Sequence, residues 1–566
     1  MDEANEMVKI ALGEDVFVNY VENSELYIDK SLFIRDIIDS ANKVLLITRP
    51  RRFGKTLNMT MLKAFFDIKP KQTEEDYSKY FKNLKIWECG DEYTSHFGKY
   101  PVIFITLKDI ESKSWENCYE GLKSKISDIF KMNKNIINIL EPEEKEFYHD
   151  ILFRRTNEID FVQAIGNLTH WLEKYYGEKV ILLIDEYDAP INDGYTYGYS
   201  EEAILFMKNM FSFAMKTNPS LQKAVITGLT KIAGKSLFSK LNHFISYNVL
   251  EKEYSEYFGF MEEEVKFVIK KCKVKHSMDE ISAWYNGYNF GGTTPIYNPW
   301  SIMNVCAFPD EMLKAHWINT SSDGALGKVL NNLSISSKEK LYELAIGKSF
   351  ELPLKDDVTY ENLKVQSDVL WSFLLYAGYL TTKVSNEESA TFFVPNYEVR
   401  KALIHTMNRW ILDTTGGTEE VNIMINAMLT GDEYLFSEKL SDFIFNSFSY
   451  FDTANRNPEI VYHAFILGLL AHVQSNYYFN SNPIAGRGRA DVLIMPKVGN
   501  LSTNAVILEF KKTDKIDTLE NVAKSALLQI KEKDYISEAQ KRGATDIYIY
   551  GIGFCGREVK LEMEKI

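Results

Sequence analysis

The sequence predicts an α/β protein in three parts: an N-terminal parallel sheet, a mostly helical middle region and a second, smaller α/β unit. Over the first 250 residues, short apolar runs alternate with long amphipathic stretches. From about Glu251 the pattern becomes mostly helical, and after Asn455 strand-like runs return. Fully apolar strands that alternate with helices are typical of a parallel sheet covered on both faces.

Length and composition indicate several packed domains. The chain has 566 residues, of which 45% are hydrophobic and 25% are charged. At roughly 150 residues per domain, this length predicts about three to four domains, each able to bury its own core. We place the boundaries of three domains at residues 1–250, 251–445 and 446–566.

The apolar and amphipathic runs predict the individual elements. Five N-terminal strands are expected at Val44–Thr48, Val102–Leu107, Val180–Ile184, Ala224–Thr227 and Phe244–Val249, with helices such as Leu57–Asp67 and Glu201–Lys216 between them. The middle region should contain the helices Glu262–Lys271 and Met278–Tyr285, and a winged-helix-like part made of a helix, Ser367–Ala377, and two strands, Tyr379–Lys383 and Ala390–Val394. The last part reads as αβββαβ, with a helix at Glu459–Val473, strands at Asn476–Asn480, Arg489–Met495 and Ala505–Lys511, a helix at Leu519–Lys533 and a strand at Asp546–Tyr550.

Nothing in the sequence predicts secretion or a membrane segment. The longest apolar run, Ala464–Ala471, has about eight residues, whereas a spanning helix needs about 20. The first ten residues lack the basic and then apolar order of a signal peptide. Five cysteines without a CxxC pair argue against a disulfide framework or a structural zinc site. We therefore expect an intracellular, cytoplasmic protein.

A candidate phosphate site lies in the segment Val44–Thr56, which reads as a strand, a tight turn and the start of a helix. Backbone N–H groups at such a helix start point at a bound phosphate, and the helix dipole favours its charge. Lys55 is placed to reach the β- and γ-phosphates of a nucleotide, and the Thr56 hydroxyl to ligate Mg²⁺. Phe53 and Gly54 complete the loop. Arg49 stands where the GxxxxGK[ST] pattern has its first glycine.

Arginines and carboxylates supply the rest of this site. Arg49, Arg51 and Arg52 place three positive charges within four residues, where they can neutralise phosphate or form a solvated basic turn. The strand Val180–Ile184 runs into Asp185 and Glu186. At the carboxyl edge of a parallel sheet, Asp185 can hold Mg²⁺, and Glu186 can orient or deprotonate an attacking water.

Two alternatives stay open at this stage. Thr227, at the polar end of the fourth strand, can sense a γ-phosphate or be a simple strand-end hydroxyl. The Gly-Lys-Thr triplet and the acidic pair can also be a helix cap and an unrelated turn, although both occur in the right order on the right elements.

Six short signatures in order resemble the AAA-ATPase-like family. They are Tyr27–Lys30, Arg49–Thr56, Asp185–Asp188, Thr227–Lys231, Trp284–Tyr288 and Tyr297–Trp300. The resemblance covers about residues 20–400 and implies an ATP-binding core whose phosphate loop has the Arg-Pro-Arg-Arg form, so that Arg49 is a family trait. It leaves the arginine finger open, with Lys231 as the basic residue after the sensor strand. The aromatic signatures fit core packing at a domain junction better than a platform for stacked bases.

A second candidate site lies near the C-terminus. Glu509 and Lys511 are two residues apart on a predicted strand and therefore share one face, and Asp491 joins them if its strand is adjacent. Two carboxylates that hold Mg²⁺ beside a lysine suit phosphodiester hydrolysis. Glu459 is either a further metal ligand or an exposed glutamate at a helix start. An ExK triplet alone arises by chance, so the assignment of a nuclease site depends on the αβββαβ order of the elements around it.

This part resembles the PD-(D/E)xK nuclease superfamily over residues 455–566, with Asp491, Glu509 and Lys511 as the matching core. Arg487 and Arg489 form a basic approach to Asp491, while Ala490 replaces the expected proline. Gln529 and Tyr535 follow on the next helix, where they can support the site or touch the phosphate backbone. The resemblance leaves open a degenerate fold that binds nucleic acid without cutting.

Together these observations predict an ATP-binding and ATP-hydrolysing protein coupled to Mg²⁺-dependent cleavage of DNA or RNA. The expected cofactors are ATP and Mg²⁺, with Mn²⁺ as a substitute at the nuclease site. Because the net charge is −14, the nucleic-acid site must be locally basic. No membrane partner is expected, and a homo-oligomer is left open. The alternative is a nucleotide-gated interaction switch whose C-terminal fold binds nucleic acid or a partner without cutting it.

Overall fold

The computed structural model describes most of the chain. The described residues are 8–68, 76–229, 237, 244–292, 294–317, 329, 333, 335–345, 347–355, 358, 362–363, 368–384, 388–404, 418–447, 477–481, 484–485, 488–489, 491–496, 504–532, 535–541, 544–556 and 558–566. The predicted helix Glu459–Val473 lies outside them, as do Lys231, Glu459, Arg487 and Ala490. The chain divides into two compact units, one of residues 1–332 and 349–399 and one of residues 333–348 and 400–566.

The helices of both units follow in chain order. They are α1 Phe17–Asn23, α2 Leu32–Asp39, α3 Lys55–Phe66, α4 Lys85–Glu88, α5 Asp91–Thr94, α6 Trp115–Met132, α7 Pro142–Leu152, α8 Glu158–Tyr176, α9 Ala189–Tyr197, α10 Ser200–Met215, α11 Glu262–Lys271, α12 Met278–Tyr285, α13 Pro299–Ala307, α14 Ile335–Ala345, α15 Val369–Tyr376, α16 Thr418–Thr430, α17 Glu433–Ser447, α18 Leu519–Glu532 and α19 Tyr535–Lys541. Among the helices in the described part of the chain, none is both long enough and apolar enough to cross a membrane.

The strands are numbered in the same way. They are β1 Val44–Thr48, β2 Val102–Thr106, β3 Val180–Asp185, β4 Leu221–Gly228, β5 Phe244–Tyr247, β6 Tyr288–Phe290, β7 Thr294–Ile296, β8 Phe350–Pro353, β9 Thr381–Val384, β10 Ser389–Phe393, β11 Tyr477–Ser481, β12 Ile484–Ala485, β13 Gly488–Arg489, β14 Val492–Pro496, β15 Asn504–Lys512, β16 Asp546–Cys555 and β17 Glu558–Lys565.

A parallel sheet of five strands forms the centre of the first unit, as predicted. Its order is β2-β3-β4-β1-β5, and every neighbouring pair is parallel. All residues of β1 and β3 are buried because helices cover both faces of the sheet. The strand β4 lies between β1 and β3, so the ends of β1 and β3 face each other across it. This order brings the phosphate loop, Asp185 and Thr227 to one edge of the sheet.

Residues 251–332 and 349–399 of the middle region contribute helices and small sheets to the same unit, whereas residues 333–348 and 400–445 belong to the second unit. The helices α11 and α12 have the predicted bounds, and α12 begins with a capping box between Ser277 and Glu280. The helix α15 is followed by a hairpin of β9 and β10, which agrees with the predicted helix and two strands. The strand β8 extends this hairpin to an antiparallel sheet in the order β8-β10-β9.

The second unit contains a mixed sheet in the order β11-β14-β15-β16-β17. Only β15 and β16 are parallel, because α18 connects them as a crossover helix. The sequence predicted the β11, β14, β15, α18 and β16 elements but missed β17, in which Val559, Leu561 and Met563 alternate with charged residues. That alternation is typical of an edge strand with one face on the core.

Two glycines allow α18 to lie directly on the sheet of the second unit. A Cβ atom on Gly551 would lie 2.3 Å from both Ala523 O and Leu527 N, and one on Gly553 would lie 2.9 Å from Leu519 O. These are backbone atoms, which cannot move aside as a flexible side chain can. Gly551 pairs with Glu509 and Gly553 with Lys511 in the parallel ladder, so the helix covers the face that carries both residues.

We therefore expect Gly551→Ala to destabilise the second unit by about 1–3 kcal/mol, because the methyl group overpacks a helix–sheet contact. Hydrogen exchange of peptides covering residues 519–555 in increasing urea would measure the loss. Leu528→Ala is the matched control, since Leu528 is 55% exposed on the same helix. Equal protection in Gly551→Ala and wild type would contradict this packing.

Candidate functional sites

The phosphate loop joins β1 to α3 through residues 49–54. Two of its residues have a left-handed backbone: Arg52 with φ 71° and Gly54 with φ 79°. Glycine adopts this conformation freely, whereas a residue with a side chain is strained in it. Gly54 is also the residue from which α3 starts, so the free N–H groups of the first helical turn follow the loop directly.

Lys55 lies inside this loop. Its side chain is buried, and the ammonium group donates to Arg49 O and Pro50 O at 3.2 Å each. Burial lowers the pKa of Lys55, while the nearby carboxylates of Glu186 and Asp185 act in the opposite direction. The loop therefore encloses a buried cation that is held by two backbone carbonyls.

Asp185 connects the ends of β3 and β4 with the start of α3. It is fully buried, and its two carboxylate oxygens accept different hydroxyls: Oδ2 accepts from Thr56 Oγ1 at 2.7 Å and Oδ1 from Thr227 Oγ1 at 2.5 Å. Burial raises the pKa of Asp185, and so does Glu186, whereas the two hydroxyls lower it. The structure thus brings Thr56, Asp185 and Thr227 together.

A cavity of about 690 Å³ opens at this edge of the sheet. Its lining includes Arg51, Arg52, Lys55, Thr56, Glu186 and Asp188. Glu186 has φ 51°, a strained value for a residue with a side chain, and it follows directly on β3. Asp188 is buried, and desolvation, followed by the charge of Glu186, raises its pKa to about 6.

Arg49 has a different place from the predicted one. Its side chain is completely buried, and its guanidinium donates to Thr48 O at 2.8 Å, Tyr247 O at 3.0 Å and Glu253 O at 3.3 Å. Desolvation lowers the pKa of Arg49 to about 10. The guanidinium therefore anchors the loop to the protein interior, where backbone carbonyls accept from both of its terminal nitrogens, and it does not line the cavity where we expected it to neutralise phosphate.

The other loop side chains, Arg51, Arg52 and Phe53, all border the cavity. The Arg52 guanidinium lies 3.9 Å from the centre of the Trp300 ring. Phe53 is buried and packs edge-on against Tyr288, with ring centres 4.9 Å apart. The loop is thus held by its own side chains against the middle region, where an ordinary phosphate loop relies on glycines.

The remaining family signatures serve packing. Lys30 binds Glu264 at 2.7 Å and Glu256 O at 2.8 Å, which ties the segment Tyr27–Lys30 to α11 and the residues before it. Tyr285 and Tyr297 are buried, in agreement with a core role for the aromatic signatures. Lys231 lies outside the described residues, so its role as an arginine finger stays open.

In the second unit, Asp491 and Glu509 lie opposite each other on neighbouring strands. Asp491 Oδ2 accepts the Phe510 N–H at 2.8 Å, and the Asp491 N–H donates to Glu509 Oε2 at 3.4 Å. These reciprocal bonds fix both carboxylates at one point, as the sequence predicted for adjacent strands. Glu509 is buried, and desolvation, followed by the charge of Asp491, raises its pKa to about 8.

The helix α18 holds the side chains of the ExK triplet. Gln529 Nε2 donates to Glu509 Oε1, and Lys511 Nζ donates to Ser525 Oγ at 2.9 Å. Four residues of a helix rise about 6 Å and two residues of a strand rise about 6.6 Å. The spacing of Ser525 and Gln529 along the helix therefore equals the spacing of Lys511 and Glu509 along the strand, and each helix residue binds one strand residue. Sequence reasoning placed Gln529 on this helix but missed Ser525, which only the helix–strand register reveals.

Both sites have oxygen atoms of the kind that coordinate a divalent cation. The first offers the Thr56 hydroxyl and the Asp185 carboxylate, the kind of oxygen ligands with which Mg²⁺ is held beside phosphates. The second offers two adjacent carboxylates, one of which is buried with a raised pKa. Within the described residues, no group of three or more His, Cys, Asp or Glu side chains forms a metal site. Glu459, the further ligand we expected, lies outside those residues.

Comparison with known proteins agrees with the two domains predicted from the sequence. A family model described as a predicted AAA-ATPase matches residues 11–238, and a PD-(D/E)XK nuclease superfamily model matches residues 457–564. A relative from Azotobacter chroococcum mcd 1, an uncharacterized protein in the vnfD 5' region, is 23% identical over 555 residues and aligns over 96% of both chains. The chain therefore combines a domain of the predicted AAA-ATPase-like family with a C-terminal domain of the PD-(D/E)XK nuclease superfamily.

Proposed function

We propose that the chain binds and hydrolyses ATP with Mg²⁺ in its first unit and cleaves nucleic acid with a divalent cation in its second. The observation that carries the proposal is the same in both units: a buried carboxylate, fixed by hydrogen bonds, lies near a lysine. Phosphoryl and phosphodiester chemistry both need charge stabilisation of this kind.

In the first unit, each residue has a distinct task. Lys55 and the first turn of α3 bind the phosphates, and Thr56 with Asp185 would hold Mg²⁺. When bound, that ion offsets the negative charge of the phosphates. Glu186 lines the cavity on a strained backbone and orients the attacking water. Thr227 keeps the Asp185 carboxylate in its orientation through the 2.5 Å hydrogen bond.

In the second unit, Asp491 and Glu509 would hold Mg²⁺ or Mn²⁺, which supplies polarisation of the phosphate and an activated water. Gln529 orients Glu509 by its hydrogen bond, and Lys511 offsets the charge that develops on the phosphate. DNA or RNA is the substrate class, since both contain the phosphodiester bond.

The contacts between the phosphate loop and the middle region support a change within the first unit that depends on the bound nucleotide. Arg52 lies over Trp300. Pro50 packs directly against Gly378, because a Cβ atom added to Gly378 would lie only 2.7 Å from the Pro50 Cβ. A phosphate that attracts Arg52 therefore competes with Trp300 for the same guanidinium. The middle region would then report whether the nucleotide is bound.

One observation favours a second candidate, a nucleotide-gated switch that binds nucleic acid or a partner without cutting. Lys511 donates to Ser525, and Glu509 has a pKa of about 8 without a bound cation. A site in this arrangement recognises a ligand without cleaving it unless a cation displaces the proton on Glu509. The two candidates differ in whether the C-terminal carboxylates bind a divalent ion.

Lys55→Ala should reduce ATP turnover at least about 100-fold, because the phosphates lose their buried counter-charge. Glu186→Gln should also lose turnover but retain ATP binding. A steady-state phosphate-release assay and a fluorescent ATP analogue measure the two properties. Lys63→Ala, an exposed lysine on the same helix, is the control that should behave like wild type.

Asp491→Ala and Lys511→Ala should each reduce cleavage of nucleic acid at least about 100-fold while ATP turnover is preserved. The assay uses single- and double-stranded DNA and RNA with Mg²⁺ or Mn²⁺, with and without ATP. Lys512→Ala is the matched control, since Lys512 points to the other strand face and pairs with Asp514 at 3.1 Å.

If wild type cuts none of these substrates under any of these conditions, the cleavage proposal is wrong. Calorimetry with Mn²⁺ on the full chain without nucleotide then separates the candidates. Binding that is lost in Asp491→Ala supports the metal site, whereas an identical isotherm in wild type and Asp491→Ala supports the switch.

The raised pKa of Glu509 predicts a pH-dependent stability of the second unit in EDTA. Between the ordinary pKa of 4.5 and the folded value of about 8, the folded carboxyl keeps a proton that the unfolded chain releases. The folded state is therefore favoured at low pH, and the unfolding equilibrium constant should rise by up to about tenfold per pH unit from pH 5 to 8.

Glu509→Gln should remove this slope, and Glu532→Gln, an exposed glutamate on α18, should keep it. Urea unfolding of the three proteins at pH 5, 6, 7 and 8 measures the difference. A slope that is the same in wild type and Glu509→Gln would show that another group causes it.

A further inference from the structure

Asp188 is a buried carboxylate to which no catalytic task has been given. It is the residue from which α9 starts, and its side chain is only 2% exposed although it borders the cavity. Burial of a carboxylate is unfavourable unless hydrogen bonds compensate for the lost water. The position of its hydrogen bond therefore indicates what the residue does.

The carboxylate does not cap its own helix. An aspartate at the start of a helix commonly accepts an N–H of the first helical turn, yet Asp188 makes no such side-chain bond to α9. Asp188 Oδ2 instead accepts the Leu229 N–H at 3.0 Å. Leu229 is the first residue after β4, so the carboxylate holds the end of the strand that carries Thr227.

The end of β4 is held from both sides. On one side, Gly228 O accepts the Arg49 N–H at 3.2 Å, which fixes the start of the phosphate loop. On the other side, the Tyr187 N–H donates to Thr227 O at 3.0 Å, and Asp188 accepts the N–H of Leu229, two residues after Thr227. A shift of this strand end would move the phosphate loop and Thr227 together.

Gly228 shows how closely Asp188 approaches the strand. A Cβ atom at this position would lie 2.7 Å from Asp188 Oδ1 and 2.6 Å from the Tyr187 ring. Only glycine leaves room for this contact. The close contact between Asp188 and the end of β4 therefore depends on the glycine at position 228. The two segments meet at the edge of the sheet where Asp185 accepts the Thr227 hydroxyl.

We propose that Asp188 is a positioning residue for the nucleotide hydrolysis assigned to the first unit: it fixes Leu229, and thereby holds the Thr227 hydroxyl on Asp185. This inference rests on the proposed function, because it concerns the same site. Without the bond to Leu229, the end of β4 loses one of the hydrogen bonds that fix it, and the Thr227 hydroxyl is held less firmly on Asp185 Oδ1. The orientation of the carboxylate that would hold Mg²⁺ is then less well fixed. The chemical step is then impaired, while the lysine and helix start that bind the phosphates stay in place.

Two substitutions separate the effect of the position of the Asp188 carboxylate from the effect of its charge. Asp188→Asn keeps an acceptor oxygen at the same distance but removes the charge, and Asp188→Glu keeps the charge but moves it by one methylene group. We expect kcat of Asp188→Asn to stay within about threefold of wild type and kcat of Asp188→Glu to fall at least about tenfold. The KM for ATP and the affinity for a fluorescent ATP analogue should change less than about threefold in both.

The outcomes separate the inference from the proposed function. If Asp188→Asn loses as much kcat as Asp188→Glu, or if the loss is in KM alone, Asp188 does not act by position and the inference is wrong. If wild type itself does not turn over ATP, the proposed function fails and the inference fails with it. Gly228→Ala provides a second measurement that leaves every carboxylate unchanged: a fall in kcat with unchanged KM supports the inference, and unchanged kcat in a folded variant contradicts it.

Discussion

The first unit depends on one carboxylate that is shared by two hydroxyls. Asp185 ends β3, Thr227 lies near the end of β4 and Thr56 lies in the first turn of α3, and only the carboxylate joins all three. Because Asp185 is fully buried, these two bonds replace the water that it loses on folding. The strand order β2-β3-β4-β1-β5 makes the arrangement necessary, since β4 separates the phosphate loop from β3 and its end must take part in the site.

The phosphate loop is fixed in place by its own side chains. In place of a run of glycines, the loop has the buried Arg49 in a cage of carbonyls, and Phe53 in an aromatic cluster with Tyr288. Left-handed backbone is confined to Arg52 and Gly54 in this loop. Side-chain contacts with the middle region thereby restrict the conformation of the loop, and they also connect the loop to the residues that surround it.

The sequence predicted the elements and the pairs of residues that meet across adjacent strands, but not the direction of individual side chains. Apolar runs predicted β1 and β3 to within a residue, and alternation along β15 placed Glu509 and Lys511 on one face. The family resemblance predicted a phosphate-binding role for the loop, but the motif did not indicate that the Arg49 side chain points inward. Ser525, Gly551 and the contact between Asp188 and Leu229 depend on how a helix or loop is placed against a strand, and no local pattern encodes that placement.

The burial of Arg49 has a consequence for how such a loop changes during evolution. Its guanidinium lies 5.4 Å from the centre of the Phe258 ring and 5.6 Å from that of Phe290, which are more than 200 residues further along the chain. Glycine at this position would leave a void lined by two aromatic rings and would remove the donors from three carbonyls. The residue at position 49 is thus linked to distant positions in the chain, and a change there calls for a change at its aromatic neighbours as well.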